Sequence, residues 1–456
     1  VSVIYMLSPW SMNRIEHFFL WTGYALAPLI LVGAMKGLED HDVKTLALTG
    51  FLWTVASTSA HYTIFLFMLV LGALIYQNPL RARWPQRIGL LRSFLILLTT
   101  FLVTSMYWIA PYIASLLEGV SGPPAVLTVE VVNMLSASSG PLNAFRGIGY
   151  WWPRTDMALQ GELGVAWGVA SYIVPVMAFS ALLFRRDRLT LSLTAMALIF
   201  FVLSMGTNWG LGGAYSWLTF DAPLSRQIGW LLRDPDKWAG PMWLTYCLLI
   251  MVTLLELNSR SRLKFGGWSD GRNKTAAMFL TCIILLSGFM VFAVPSVNGH
   301  MNGIYVPMEV PGEYYSTNDW LAGLDGDFNV LWLPNTLGTS TNWTSNMVSN
   351  IENMYSGKPD IGGTTVYGAY YRSFLSQTLA ENRTDHFGKL LATAGIKYLI
   401  VREDVPELHS LIDAMESSLS WQKDMALVRQ DGALKVYEVI EDVKLVYATD
   451  NIISVI

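Results

Sequence analysis

Charged side chains and cysteines are both scarce in this chain of 456 residues. Only 14% of the residues are charged and 53% are hydrophobic, which excludes an ordinary soluble protein. The two cysteines, Cys247 and Cys282, both fall in apolar segments, so a disulfide framework and a cysteine-rich metal site are excluded. What the chain has instead is 18 Trp and 20 Tyr, typical of a membrane protein with aromatic residues at the bilayer surface.

The charges divide the chain into two parts. Residues 1–296 carry 20 Lys and Arg against 14 Asp and Glu, whereas residues 297–456 carry 10 against 20. This asymmetry predicts a transmembrane domain over 1–296, followed by an acidic domain in water over 297–456. The first residue is Val1 and no signal peptide is recognisable, so we expect the chain to lack its native beginning.

Eight apolar segments approach membrane-spanning length. They run over residues 18–35, 45–60, 62–76, 88–113, 163–184, 189–205, 235–257 and 275–295. The second and third are short and separated only by a polar stretch around Ser59, which is typical of broken or re-entrant helices beside a protein-lined cavity.

Loop charges predict the orientation of these segments, because cytoplasmic loops are rich in Lys and Arg. The basic loops are 81–87, 185–188 and 260–274. The remaining connections are then extracytoplasmic: 1–17, the long loops 114–162 and 206–234, and the whole of 296–456. Within the second long loop, residues 223–232 are predicted to lie along the membrane surface, with Ile228, Leu231 and Leu232 on one side.

The final part of the chain has the pattern of one α/β domain. "FNVLWLP" and "IKYLIVRED" predict strands, "MALVRQDGALKVYEVI" predicts a hairpin that turns at Asp431 and Gly432, and "DHFGKLLATAG" and "PELHSLIDAMESSLS" predict helices. Two glycosylation sequons begin at Asn342 and Asn382, and they agree with an exposed extracytoplasmic surface.

The run "LLRDPDKW" concentrates four charges before an apolar span. Asp234 followed by Pro235 predicts a helix start with an aspartate N-cap, and Asp236 suits the positive end of that helix. Arg233 and Lys237, four residues apart, are candidates to hold a lipid phosphate there. The alternative is that both cations pair with the neighbouring acids and extend to the membrane surface.

Four other residues are candidates for a site. His61 either lines a substrate cavity or satisfies loop backbone at the outer surface. Glu16 is the candidate general base, although a glutamate near a helix start is often a cap partner. Arg14 and Arg226, both predicted to be extracytoplasmic, are further candidates for substrate binding. No catalytic triad, phosphate-binding loop or metal-ligand motif is evident.

Several short motifs together resemble a known group. They are "SPWSMNRIEHFFLWTGYALAPLIL", "STSAHYT", "LLRDPDKW", "VPGEYYSTNDWLAGL", "FNVLWLP" and "LLATAGIKYLIV". In this order they resemble archaeal and bacterial membrane proteins of the GT-C glycosyltransferase superfamily, in particular the mycobacterial-type arabinofuranosyltransferases and the YfhO-like glycosyltransferases. The resemblance extends over nearly the whole chain.

The resemblance implies a GT-C-like polytopic helical fold in the plasma membrane, with the C-terminal α/β domain outside. It implies a polyprenyl-phosphate-linked sugar as donor, and a glycan, lipid or glycoprotein as extracytoplasmic acceptor. Arg233 and Lys237 would then hold the departing phosphate. Family catalytic carboxylates usually lie in the first outer loop, after an N-terminal helix, and this chain is expected to begin downstream of them. No organic cofactor or nucleic acid is expected, whereas a divalent metal is possible.

Two other classes remain open. One is a non-catalytic GT-C-like membrane scaffold, whose outer domain binds glycan or a partner subunit. The other is a secondary transporter, which the short second and third segments and His61 would suit, although a large outer domain and the lack of internal repeats argue against it.

Overall fold

The computed structural model describes most of the chain. The described residues are 1–14, 17–77, 83–117, 127–150, 164–260, 309–334, 339–348, 356–361 and 366–445, with five single positions between 279 and 290. The chain divides into two compact units, Val1–Tyr305 and Val306–Ile456. Each unit is treated by itself, and the predicted domain boundary at residue 296 stays a prediction.

The first unit is helical throughout its described residues. Its α-helices are α1 Ser2–Met6, α2 Pro9–Asn13, α3 Phe18–Asp40, α4 Val43–Ala56, α5 Ala60–Tyr76, α6 Trp84–Thr104, α7 Met106–Leu117, α8 Val129–Ser136, α9 Pro141–Arg146, α10 Gly164–Ala170, α11 Ile173–Phe179, α12 Ala181–Phe184, α13 Arg188–Ser204, α14 Gly212–Phe220, α15 Ser225–Ile228 and α16 Ala239–Arg260. Two 3₁₀ helices, Gly229–Leu232 and Pro235–Trp238, precede α16.

Four helical stretches are long and apolar enough to cross a membrane. They are Phe18–Asp40, Trp84–Thr104, Trp167–Phe184 and Pro235–Leu257. Each lies on a predicted span. Three more predicted spans form shorter apolar helices of 14 to 17 residues, Val43–Ala56, Ala60–Tyr76 and Arg188–Ser204. The eighth, 275–295, lies almost wholly outside the described residues, so the count of eight stays a prediction.

Local chemistry explains several helix boundaries. α3 ends where His41 adopts a left-handed conformation, and α4 begins at once because the Asp42 carboxylate caps the backbone N–H groups of Lys44 and Thr45 at 3.2 Å. The single predicted span 88–113 is broken at Ser105, whose buried hydroxyl lies 2.9 Å from that of Thr54 on α4.

The two predicted outer loops contain helices. α8 and α9 lie within 114–162, and α14 and α15 lie within 206–234. The prediction that Ile228 and Leu231 share one side of the second loop is wrong. Leu231 is buried and Ile228 is exposed, because the chain changes there from an α-helix to a 3₁₀ helix with fewer residues per turn.

Gly147 fixes the end of α9 against α16. It has a φ of 70°, and a Cβ added there would overlap Nε1 of the buried Trp243. We therefore expect Gly147→Ala to lower the free energy of unfolding by about 1–3 kcal/mol, from backbone strain and the clash together. Gly140→Ala is the matched control, because a Cβ there would meet nothing within 4 Å. Equal unfolding midpoints for the two variants would contradict this reading.

The second unit is a small α/β structure. Its strands are β1 Asn329–Leu333, β2 Thr339–Thr341, β3 Thr344–Val348, β4 Ile396–Arg402, β5 Met425–Asp431 and β6 Leu434–Val439; its α-helices are α17 Gly312–Ala322, α18 Val366–Ala380, α19 Phe387–Ala392 and α20 His409–Leu419, and α20 follows a 3₁₀ helix at Pro406–Leu408. The main sheet has the order β1-β4-β6-β5, with β1 and β4 parallel and the other pairs antiparallel.

Both faces of this sheet are buried. Leu331 and Leu399 belong to one apolar cluster, whereas Trp332 and Ile400 belong to a second cluster that includes Tyr314 of α17. Near-continuous apolar strands such as "YLIV" follow from burial on both sides. The two predicted strands, the hairpin turning at Asp431 and Gly432, and the two predicted helices are confirmed.

Candidate functional site

A cluster of buried charged side chains forms the centre of the first unit. Arg14 stands at the end of α2, which Ser8 begins by capping the N–H of Ser11. Asp236 and Lys237 lie on the short 3₁₀ helix Pro235–Trp238. His61 lies in the first turn of α5. Three separate parts of the chain therefore meet here, and we call Arg14, His61, Asp234, Asp236 and Lys237 the charge cluster.

Arg14 binds both aspartates of the cluster. Its Nη2 donates to Asp234 Oδ2 at 2.7 Å and to Asp236 Oδ2 at 3.2 Å. Arg14 and Asp236 are each 1% exposed, and Asp234 is 5% exposed. The guanidinium also lies over the Tyr150 ring, 4.1 Å from its centre. Arg14 thus connects the N-terminal segment to the 3₁₀ helix before α16 and to the segment that ends at Tyr150.

Burial and neighbouring charges shift the pKa values of Arg14 and Asp234 in opposite directions. Burial alone would lower the pKa of Arg14, but Asp234 and Asp236 outweigh it and raise that pKa above its usual value. Burial would likewise raise the pKa of Asp234, and the attraction of Arg14 and Lys237 lowers it instead. Both groups are therefore charged at neutral pH.

Lys237 points inward to a histidine. Its Nζ lies 3.1 Å from His61 Nε2 and 3.9 Å from Asp234 Oδ2, and the residue is 7% exposed. An ammonium group has only donors, so His61 Nε2 must accept and Nδ1 must carry the proton. Nδ1 then donates to Ser59 Oγ at 3.1 Å. Trp230 closes this side with its ring edge-on to the imidazole, 5.7 Å between centres.

The charge cluster is balanced within itself. Arg14 and Lys237 offset Asp234 and Asp236, and His61 is neutral in this arrangement. Two of its polar atoms, Asp234 Oδ1 and Arg14 Nε, are buried without a hydrogen-bond partner among the described residues. The cluster thus has little charge left for a ligand, but it keeps one acceptor and one donor.

Arg233 stands beside the charge cluster and differs from it. It is half-buried, and no carboxylate lies within 4 Å of its guanidinium in the described part of the chain. Its backbone N–H is held by the carbonyl of Trp230 at 3.2 Å. The neighbouring backbone is fixed as well, because the Tyr215 hydroxyl donates to the Leu232 carbonyl. Arg233 is therefore a well-placed cation whose charge is not neutralised by a nearby acid.

The structure corrects two local predictions. Asp234 occupies the N-cap position of the 3₁₀ helix, but its side chain makes no cap hydrogen bond, because the carboxylate turns inward to Arg14. Lys237 does not extend to the membrane surface beside Trp238, since both side chains are buried and Trp238 packs on Phe65. The predicted phosphate-binding role of Arg233 and Lys237 stays a prediction.

The other predicted site residues fall into three groups. His61 and Arg14 belong to the charge cluster, as described above. Glu16 lies outside the described residues, and so does the side chain of Arg226, although its backbone forms part of α15. Asn342 and Asn382 in the second unit are both exposed, as a glycosylation acceptor must be. Their modification stays a prediction.

The described residues contain no group of three His, Cys, Asp or Glu that could hold a metal ion. The two aspartates of the charge cluster, Asp234 and Asp236, are both bound to Arg14. The divalent metal therefore stays an untested prediction.

Comparison with known proteins identifies a similar fold among solved structures but no match to a family model or a curated protein. Solved structures of one protein match in fold, which agrees with the predicted resemblance to arabinofuranosyltransferases. That protein is arabinofuranosyltransferase AftD from Mycobacteria, and two of its structures, one of them a mutant, superpose with TM-scores of 0.57 and 0.60.

The extent of this likeness is limited. Both structures are 16% identical in sequence to this chain, and the matches cover 96% and 97% of it. The chain spans only 31% and 32% of the length of the matched proteins. At this identity the likeness shows the fold alone.

Proposed function

We propose that this chain belongs to a membrane glycosyltransferase that takes a sugar from a polyprenyl-phosphate-linked donor and transfers it to an extracytoplasmic acceptor. The GT-C-like fold supports the class. The observation that carries the proposal is Arg233, a half-buried cation beside a balanced charge cluster, with no carboxylate within 4 Å among the described residues.

The chemistry requires such a cation. When a sugar leaves a phosphate-linked donor, negative charge accumulates on the departing phosphate oxygens, and a fixed cation stabilises it. A guanidinium suits two phosphate oxygens at once. Lys237 has a different part in this proposal. Because Lys237 is hydrogen-bonded to His61 and close to Asp234, it fixes the segment that carries Arg233.

The test is binding and transfer with a polyprenyl-phosphate sugar. We expect Arg233→Ala to weaken donor binding roughly 10- to 100-fold, the value of one charge-assisted contact, while the unfolding midpoint stays unchanged. Arg186→Ala is the matched control. Arg186 likewise has no carboxylate within 4 Å in the described part, although it is exposed where Arg233 is half-buried, and it lies just before the first residue of α13. Unchanged donor binding in Arg233→Ala would refute the proposal.

A second function is favoured by one feature of the charge cluster. Both of its carboxylates are bound to Arg14, so neither is available as the base that the acceptor hydroxyl needs. A non-catalytic scaffold that binds the same lipid-linked sugar would have this property. Donor binding that depends on Arg233, without measurable transfer to any acceptor, would favour the scaffold over the enzyme.

A further inference from the structure

An apolar groove runs between α5 and α13 in the first unit. Its volume is about 660 Å³, within the range of ligand pockets. Met68, Gly72 and Ile75 line it from α5, and Ala195 and Phe200 line it from α13. Gly72 lets the two helices approach each other closely beside the groove, because a Cβ on Gly72 would be only 2.6 Å from Met196 Sδ.

The groove has one charged end. Arg188, the first residue of α13, belongs to its lining. The Arg188 guanidinium donates to the carbonyl of Ile75 at 2.9 Å and lies 5.4 Å from the centre of the Tyr76 ring. These contacts hold the guanidinium at the mouth and leave other N–H groups of its fork for a ligand.

The charges around this end are mainly positive. Asp187 is the only acid in the run 185–188, and it pairs with Arg185 at 2.7 Å while capping Thr190 of α13. Arg186 and Arg188 have no carboxylate within 4 Å in the described part of the chain. The three arginines of this run outnumber the two carboxylates that contact Arg185, those of Asp187 and Glu256, so one net positive charge remains where the groove begins.

The length of the groove fits one leaflet of a bilayer. A helix rises about 1.5 Å per residue, so the distance from Arg188 to Phe200 along α13 is about 18 Å. Half of a hydrocarbon core about 30 Å thick is about 15 Å. The outer walls are also open, because Ile75, Leu191 and Ile199 are exposed.

We propose that this groove binds one anionic phospholipid, with an acyl chain along α5 and α13 and the phosphate headgroup on Arg188. The opposite charge of the headgroup, the apolar walls and the single-leaflet length all select this occupant. The binding is separate from the proposed sugar transfer, because Arg233 does not line the groove. It would stabilise two helices that are each shorter than a straight membrane span.

The experiment uses the full chain, purified in detergent and delipidated. It is offered an equal mixture of dioleoylphosphatidylglycerol and dioleoylphosphatidylcholine, and native mass spectrometry counts the retained lipids. We expect one retained lipid, with a preference for phosphatidylglycerol of roughly tenfold, because both lipids offer a phosphate but only phosphatidylcholine adds a cation beside Arg186 and Arg188. Equal retention of the two lipids, or retention of neither, would overturn the proposal. The latter result would mean that another segment or a second copy fills the groove.

Two sets of variants separate the groove from the general surface. Arg188→Ala should abolish the preference and Arg188→Lys should keep part of it, whereas Arg83→Ala, which removes an exposed arginine just before α6, should leave it unchanged. Ala195→Trp should fill the groove and prevent retention. Leu198→Trp, on the same helix but outside the lining, should not. Lipid retention by Ala195→Trp, or equal effects of Arg188→Ala and Arg83→Ala, would contradict a specific site.

Discussion

Replacement of Arg14 by alanine is expected to lower the free energy of unfolding by about 3–5 kcal/mol, because it leaves two buried carboxylates without their principal counter-charge. Asp234 would keep only Lys237, whose Nζ is 3.9 Å away. Asp236 would lose its 3.2 Å contact to the guanidinium. The measurement is unfolding in mixed micelles, followed by tryptophan fluorescence across a denaturant series.

Additional variants distinguish charge from packing in this loss. If the unpaired carboxylates cause it, Asp236→Asn should restore more than half of the stability lost in Arg14→Ala, because Asp234 then balances Lys237. Arg186→Ala, which removes an exposed arginine, should change stability by less than about 0.5 kcal/mol. If Asp236→Asn restores nothing, the loss comes from the contact with Tyr150 and the packing around it.

Local patterns predicted the regular parts of the fold well. The strand β4 was recognisable because an apolar run between turn residues is typical of a strand buried on both faces. The hairpin from β5 to β6 was recognisable from Asp431 and Gly432, since glycine adopts the positive φ, here 53°, that the turn requires. These features depend on neighbouring residues, so one sequence is enough to find them.

The candidate site was predicted only in part, because its contacts join residues that are far apart in the sequence. The sequence pointed to Asp234 and Lys237 as unusual charges, and to His61 and Arg14 separately. It could not show that Arg14 contacts an aspartate 220 positions away. The local pattern of an aspartate before a proline was even misleading, because an ion pair with a buried guanidinium is stronger than a cap hydrogen bond.

This arrangement changes how the function of "RDPDK" is understood. Asp234, Asp236 and Lys237 are joined to Arg14 and His61, and they hold the start of α16 to two other segments. Arg233 lies outside that set of contacts. The charges of a buried, balanced cluster are not available to bind a ligand, because drawing one partner away leaves the other charge uncompensated. Of Arg233 and Lys237, the two cations predicted to hold a lipid phosphate, Arg233 is therefore the one that no carboxylate within 4 Å offsets among the described residues.

Removal of the Asp404 carboxylate is expected to have a similarly large effect on the second unit. Asp404 is buried at 1% exposure, and it accepts hydrogen bonds from the Tyr314 hydroxyl and Trp343 Nε1, both at 2.7 Å. It also contacts the fully buried Arg402 at 3.2 and 3.3 Å. In Asp404→Ala the Arg402 guanidinium keeps its charge but loses this carboxylate. We therefore expect the free energy of unfolding to fall by about 3–5 kcal/mol.

The decisive comparison is between buried and exposed carboxylates of the same unit. Glu381 pairs with Arg383, but both side chains are more than half exposed, so Glu381→Ala should cost less than about 1 kcal/mol. Asp404→Asn keeps an acceptor oxygen and removes the charge, so its loss of stability should lie between those of Asp404→Ala and Glu381→Ala. Resistance to protease across a urea series measures each variant. Equal stability of Asp404→Ala and Glu381→Ala would mean that Arg402 is compensated by other contacts, and that the carboxylate does not hold the end of β4 in place.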